Sequence, residues 1–143
     1  MNREILFKAK RKDNDEWVEG YYVPHIVEGK IVHHFILTGE ADLVETEDDE
    51  LILKFYWEEI DPDTICQYTG LTDKNGKKIW ENDILVEKHK GIITMKYRVV
   101  FDLEEGAWLL ETKSGARYGI GAVNQRSFEA CGNIFDNTEL MEV

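Results

Sequence analysis

Over residues 93–101, Ile93, Met95, Tyr97, Val99 and Phe101 alternate with Thr94, Lys96 and Arg98. A period of two arises only on extended backbone, so this segment is a long antiparallel strand with one apolar and one wet face. The sequence around it offers such a strand its partners. Residues 83–87 (Asp-Ile-Leu-Val-Glu) precede it through the turn Lys88-His89-Lys90-Gly91, and residues 107–111 (Ala-Trp-Leu-Leu-Glu) follow it through Glu104-Glu105-Gly106. Lys113-Ser114-Gly115 turns again, then come a glycine-spaced run at 118–123 and a last apolar run at 127–135. Four or five short strands with bent, glycine-containing members predict an all-β region closed as a small SH3-like β-barrel.

The amino-terminal part reads as β-hairpins. Residues 5–11 and 17–23 flank the polar cluster Lys12-Asp13-Asn14-Asp15, and the second run closes at Pro24. Residues 30–37 form a third strand entered through Glu28-Gly29. Between Gly39 and Glu50 the chain crowds Glu40, Asp42, Glu45, Glu47, Asp48, Asp49 and Glu50, which self-repulsion keeps exposed. In residues 51–57, Leu51, Leu53, Phe55 and Trp57 alternate onto one face, as a half-buried strand requires. Asp61-Pro62-Asp63 marks the boundary, because Pro62 holds its predecessor extended and cannot sit inside a ladder. The expectation is therefore an amino-terminal β-hairpin region at 1–60, with an acidic variable segment at 40–50, and a carboxy-terminal β-barrel subdomain at 61–143. In the latter, Asn75-Gly76 carries the pair that a type I′ turn demands.

Charge narrows the function classes. Seventeen basic against 29 acidic residues give a net charge of -12, which disfavours a chain built mainly to grip nucleic acid or an anionic membrane. No apolar run reaches the length of a transmembrane helix, and Met1-Asn2-Arg3-Glu4 does not open a signal peptide, so a cytoplasmic protein with no membrane partner is expected.

Chemistry-bearing constellations are sparse. Cys66 and Cys131 are the only thiols, without C-x-x-C spacing, and read as small, semi-buried residues of a reducing compartment. A zinc site from both with two of His25, His33, His34 and His89 is the alternative, although His33 and His34 face opposite sides of a strand. Asp61 and Asp63 project the same way on extended backbone and could hold a divalent cation; otherwise Asp61 initiates a turn ahead of Pro62. Gly115, Gly119 and Gly121 lack the Lys-Ser/Thr of a phosphate loop, and Ser114 and Ser127 lack a nucleophile elbow. The reading is a non-enzyme with no cofactor.

Residues 61–84 carry more specific information. The core Gln67-Tyr68-Thr69-Gly70-Leu71, then Asp73-Lys74-Asn75-Gly76, then Glu81-x-Asp83-Ile84, resembles the signature of the YopX family. Two further segments match in order: residues 5–9 with 17–23, similar to the family's amino-terminal hairpin, and 128–137, with Gly132 and Asn133, similar to its closing strand. Cys66 and Asn82 stand where the family usually has glycine, and Thr138 where proline is common. Asn tolerates left-handed φ, so Asn82 can keep a turn, and Thr138 can still start a helical one, with Asn137 as its cap. The resemblance implies a mostly β protein made by a phage or prophage and acting in the bacterial host. It carries over no catalytic residue. Gln67, Tyr68, Thr69, Gly70, Leu71, Asp73, Asn75, Gly76, Glu81, Asp83, Gly132 and Asn133 are expected to be structural.

Two kinds of partner remain. Lys74, Lys77 and Lys78 around one turn and Lys88 and Lys90 around the next, with Trp80 between, could form a basic rim for nucleic acid, or simply solvate hairpin tips. Protein–protein interaction is the leading expectation. Four Trp, six Tyr and six Phe exceed what one small core needs, and Trp17, Tyr21 and Tyr22 lie in a terminal hairpin. That hairpin could pair with a second copy as a homo-oligomer, while the acidic segment faces an unidentified basic host or phage protein.

Overall fold

The computed structural model describes residues 3–121 and 127–141, and among these it forms eleven strands with short 3-10 turns at Pro62–Thr64 and Thr138–Met141. The chain divides into two units, one ending at Gln67 and one starting at Tyr68. The division falls a few residues beyond Asp61. Pro62–Thr64 forms a 3-10 turn rather than a linker, and the buried Thr64 ties it to the first unit by accepting the Lys10 N–H at 2.8 Å. Asp61 is the N-cap of that turn, accepting the Asp63 N–H at 3.0 Å.

In the first unit β1 (Phe7–Lys10), β2 (Trp17–Val27), β3 (Lys30–Glu45) and β4 (Leu51–Glu59) form an antiparallel sheet ordered β4-β3-β2-β1. Cys66 and Gln67, the first residues of β5 (Cys66–Thr72), pair with Lys8 and Phe7 on the other side of β1. Pro24 does not end β2 but lies inside it, opposite His34. β1 covers β2 only as far as Gly20, so at Pro24 the outer edge of β2 is open and no N–H is needed there. The acidic segment is likewise strand and tight turn: β3 runs through to Glu45, and the chain returns over residues 46–50 into β4. The acidic side chains stay exposed, as self-repulsion requires, while the backbone that carries them is paired. Ala9, Ile36 and Ile60 form the buried core, flanked by Phe7, Val18, Tyr22 and Ile65.

The second unit contains the rest of β5 with β6 (Lys78–Trp80), and a five-stranded antiparallel sheet ordered β10-β9-β8-β7-β11. Its members are β7 (Asp83–His89), β8 (Ile92–Asp102), β9 (Ala107–Glu111), β10 (Arg117–Gly119) and β11 (Phe128–Asn133). β8 is the alternating strand of the sequence. Only its middle is core, however: Tyr97 and Val99 are buried with Ile79, Leu85, Leu110 and Phe128, while Ile93, Met95 and Phe101 are exposed. The glycine-spaced run at 118–123 is described only to Gly121. Ser127 directly precedes β11.

Turn chemistry departs from expectation in one instructive place. The two-residue turns with both central φ positive are Glu28-Gly29 and Lys90-Gly91. At Asn75-Gly76 only Gly76 has positive φ, at 78°. Asp73 is the reason. Its side chain takes the N–H groups of Asn75 and Lys77, and its carbonyl takes that of Gly76, which closes a longer type I turn with glycine at the bulge position.

Gly132 shows a second constraint. A Cβ built there would lie 2.3 Å from Asn137 Oδ1, the atom that accepts the Asn133 N–H. Asn137 therefore does not cap the final 3-10 turn (Thr138–Met141) with its side chain but braces β11, and only its carbonyl serves the turn, accepting from Leu140. Gly132→Ala is expected to cost about 1–2 kcal/mol in urea unfolding, and Asn137→Ala in the same chain should recover part of that cost.

Candidate functional site

Over β3 and β4 the sheet of the first unit is exposed on both faces, with Val44, Ile52 and Tyr56 on one side and a longer apolar row on the other. Tyr21, Leu37 and Trp57 lie opposite one another across β2, β3 and β4, and directly paired residues share a face. Alternation along β4 extends that row to Phe55, Leu53 and Leu51, with Leu43 of β3 opposite Leu53. Phe35 meets the Trp57 ring edge-on at 6.2 Å, and His33 and then His25 continue the aromatic line at centroid spacings of 6.1 and 5.7 Å. Leu43, Leu51, Leu53, Phe55, Trp57 and Tyr21 are all exposed, Leu51 by 65% and Trp57 by 48%. Residues 51–57 thus form a strand, as expected, but the face that carries Leu51, Leu53, Phe55 and Trp57 is not half-buried within the chain. A contiguous exposed apolar surface of this kind is uncommon on a monomeric protein.

Charge frames this surface. Glu40, Asp42, Glu45, Glu47, Asp48, Asp49 and Glu50 surround the far end of the β3–β4 hairpin and are exposed. Tyr56 donates to Asp42, and that hydrogen bond, with burial and the neighbouring carboxylates, raises its phenol pKa. At the near end, the hydrogen bond from His33 Nδ1 at 2.9 Å lowers the Glu59 pKa. Lys12 adds to the effect, and burial opposes it.

Of the aromatic hairpin residues singled out from the sequence, only Tyr21 belongs to this surface. Tyr22 points the other way, packs on the core and shares a hydrogen bond with His34 Nδ1 at 2.6 Å. Trp17 is half-buried beneath Lys8 and Lys10, whose ammonium groups lie 4.5 and 5.5 Å from its ring. The exposure of Leu43, Leu51, Leu53, Phe55 and Trp57 was not foreseen from the sequence. The signal was present as period two in a strand, but periodicity tells which side chains share a face and not what covers it.

The signature residues build the second unit. Tyr68 packs on Trp80, and Thr69 donates to the Ile79 carbonyl at 2.7 Å and accepts the Leu71 N–H. Gly70 has φ 86° where the β5–β6 register slips. Asp73 is buried and gathers the N–H groups of Asn75, Lys77 and Ala130 at 2.8, 3.0 and 2.9 Å, so it binds the β5–β6 turn to β11. Burial alone would raise its pKa, but these three donors outweigh it and the carboxyl is held below its ordinary range. Asp83, also buried, accepts the Trp80 N–H at 2.8 Å. Asn82 takes φ 67°, the left-handed geometry that a glycine would supply, and its Oδ1 accepts from Arg98. Asn133 closes β11 by accepting from Phe135 and Asp136. Glu81 borders the β6–β7 turn, half-buried, and Gln67 ends the first unit.

The lysines are brought together only in part. Lys74 and Lys88 come from different turns yet both reach Glu129 of β11, at 3.4 and 3.1 Å, and lower its pKa. Lys78 lies over the Tyr68 ring at 5.6 Å, and Lys77 and Lys90 are exposed. Trp80 is 4% exposed, so its ring offers no face to a base.

Cys66 is buried with its thiol toward the Thr64 carbonyl, and at the head of β5 it stands on extended backbone that needs no glycine. Cys131 is exposed rather than semi-buried, although partial desolvation of its thiol, which lies 3.5 Å from the Ile84 carbonyl, raises its pKa. Among the described residues, no group of three or more His, Cys, Asp or Glu is arranged to hold a metal ion, and no helix is long and apolar enough to cross a membrane. Two open grooves of about 400 and 270 Å³ lie on the second unit and share Thr112 and Lys113.

The chain is similar in fold to protein EF1440 from Enterococcus faecalis, known from its crystal structure. The TM-score is 0.64 at 21% identity, over 98% of this chain and 99% of that one. At that identity the likeness concerns the fold alone. No curated protein matches the chain. The family model described as YopX protein matches residues 6–142, which takes in the hairpins, the Asp73 turn and the Gly132-Asn133 closing strand together. The chain belongs to the YopX family.

Proposed function

We propose that the protein is a non-catalytic interaction module that self-associates, encoded by a phage or prophage and acting in the cytoplasm of its bacterial host. The observation that carries this reading is the exposed row of Tyr21, Trp57, Phe55, Leu53, Leu51 and Leu43 on the first unit. An apolar surface of that extent is stabilised by covering it, and a second copy always offers a matching one. We read the second unit as an SH3-like barrel serving as scaffold. Register shifts at Glu87/Lys88 and Ala130/Gly132, and the docking of the β5–β6 turn on β11, support a curled sheet.

Nucleic-acid binding in phage replication or regulation is the second reading, supported by the convergence of Lys74 and Lys88 beside Lys77 and Lys90. Against it stand the buried Trp80 and the carboxylate of Glu129 at the centre of the patch. Light scattering of the purified chain over a concentration series tests the first reading, which expects mass to rise with concentration. A pull-down from host lysate with and without nuclease tests the second. Nuclease-sensitive material that is lost on charge reversal of Lys77, Lys78, Lys88 and Lys90 would move the function to the basic rim.

A further inference from the structure

The carboxylates of this acidic chain answer many of its cations. Arg11, Lys12, Lys74, Lys88 and Arg117 each lie within 3.4 Å of an Asp or Glu oxygen. Lys96 and Arg98, half-buried on one face of β8, are different: among the described residues neither reaches a carboxylate. Lys96 Nζ donates to the Leu140 carbonyl at 2.9 Å, and Arg98 Nη2 donates to Asn82 Oδ1 at 3.1 Å. Glu111 is paired directly opposite Arg98, but its carboxylate is taken by Arg117 at 2.8 Å. Register sets Lys96 and Arg98 opposite Val86 and Ile84, both buried, so their stems cover apolar surface. A side chain that serves only as such a cover keeps its charged head in water. Arg98 Nε is instead shielded from water and has no acceptor.

These two cations stand in the walls of the two open grooves on the second unit. Lys96 lines the larger, of about 400 Å³, with Ile93 and Met95, and Arg98 lines the smaller, of about 270 Å³, with Ile134 and Met141. Thr112 and Lys113 belong to both, and Ser114 and Thr138 add hydroxyls at either end. We infer that this double groove binds a small phosphate ester of about mononucleotide size. A phosphate accepts from several directions at once, which suits a guanidinium, an ammonium and hydroxyls spread along a groove. Each head has donors to spare after its one protein contact. The volume is that of an ordinary small-molecule site, and the exposed Ile93 and Met95 offer the ester's organic body an apolar shelf.

Net charge favours a small ligand over a long polyanion. At a Debye length of about 8 Å a single phosphate feels chiefly Lys96, Arg98 and their immediate neighbours, whereas a nucleic-acid strand leaving the groove meets the field of an acidic body. The one acid in the smaller groove is Glu111, whose charge Arg117 answers. The inference is independent of the self-association reading, because it uses neither the apolar row nor the first unit.

The test is calorimetric titration of the full chain with AMP, adenosine, glucose 6-phosphate and oligothymidine. AMP should bind and adenosine should not. Glucose 6-phosphate binding as well as AMP assigns recognition to the phosphate alone, and its failure to bind assigns part of it to the nucleoside; both support the site. Lys96→Gln and Arg98→Gln should each weaken AMP about tenfold, the worth of one charged hydrogen bond, while Lys54→Gln, which removes the same charge from the first unit, leaves it unchanged. Circular dichroism checks that each variant keeps its strands. Should Arg98→Gln fail to fold, Lys96→Gln carries the test, since that head meets only the Leu140 carbonyl. A wild type that takes up no AMP at millimolar concentration overturns the inference, as does AMP binding that Lys96→Gln leaves unchanged or adenosine binding as tight as AMP. Oligothymidine bound more tightly than AMP, and released by the same two variants, would replace the small ligand with a nucleic-acid strand.

Discussion

Asp73→Ala is expected to lower the unfolding free energy of the second unit by about 3 kcal/mol, a large share of a stability that totals roughly 5–15 kcal/mol for an ordinary domain. The carboxylate is buried and is the common acceptor for Asn75, Lys77 and Ala130. Alanine strands a donor in β11 and removes the residue that selects the turn. Asp73→Asn keeps one acceptor oxygen for Asn75 and Lys77 but turns its amide nitrogen on the Ala130 N–H, and should cost about 2 kcal/mol. Urea unfolding followed by Trp fluorescence, with Trp80 packed on Tyr68 as reporter, separates the two. The pH dependence has a definite sign. The Asp73 carboxyl sits lower in the folded state than its unfolded value of about 3.9, so its contribution is complete above that value and is lost as pH falls through the folded one. Glu129, lowered by Lys88 and Lys74, acts in the same direction. The wild type therefore loses stability with acid below about pH 4, and Asp73→Asn, having no charge to lose, does so less steeply. An Asp73→Asn chain with an unchanged acid transition would assign that transition to other carboxylates.

The signature was legible as sequence, but its physical content was not. Gln67 to Asp83 stands out as a pattern, and Gly70, Gly76 and Asn82 announce positive φ by residue type. That Asp73 reaches Ala130, 57 residues away, follows from a long-range hydrogen bond that no local rule encodes. The same separation misled the reading of Asn75-Gly76. Asn-Gly prefers a type I′ turn locally, but the Asp73 side chain offered the backbone a better set of acceptors and won. Strand existence was the most legible feature, because alternation is a property of single strands. Burial was the least legible: residues 93–101 and 51–57 both place large apolar side chains at every second position, yet Tyr97 and Val99 lie in a core and Leu51, Leu53, Phe55 and Trp57 do not. What a face packs against depends on the rest of the chain or on another chain. The acidic string from Glu40 to Glu50 added to the error, since it reads as a solvated break while its ends are paired strand.

The triple variant Leu53→Ser, Phe55→Ser, Trp57→Ser should abolish self-association and leave the fold in place. The three side chains are 60%, 43% and 48% exposed, so within one copy their removal forfeits about half of each side chain's possible burial, roughly 2–4 kcal/mol in the first unit. A dimer loses the other half as well. Fully covering a large apolar side chain contributes about 1.5–3 kcal/mol, and even half that amount, over three residues in each of two copies, exceeds 4 kcal/mol. That corresponds to a weakening of about a thousandfold in the dissociation constant. Light scattering should therefore show a monomer where the wild type is associated, with an unchanged strand spectrum and an unchanged urea midpoint for the second unit. The opposite pattern is equally informative. A variant that stays associated while losing its strand spectrum would mean that these residues stabilise the hairpins of their own chain. The apolar row would then be a folding element that a single copy completes, and the interaction surface would have to be sought on the second unit.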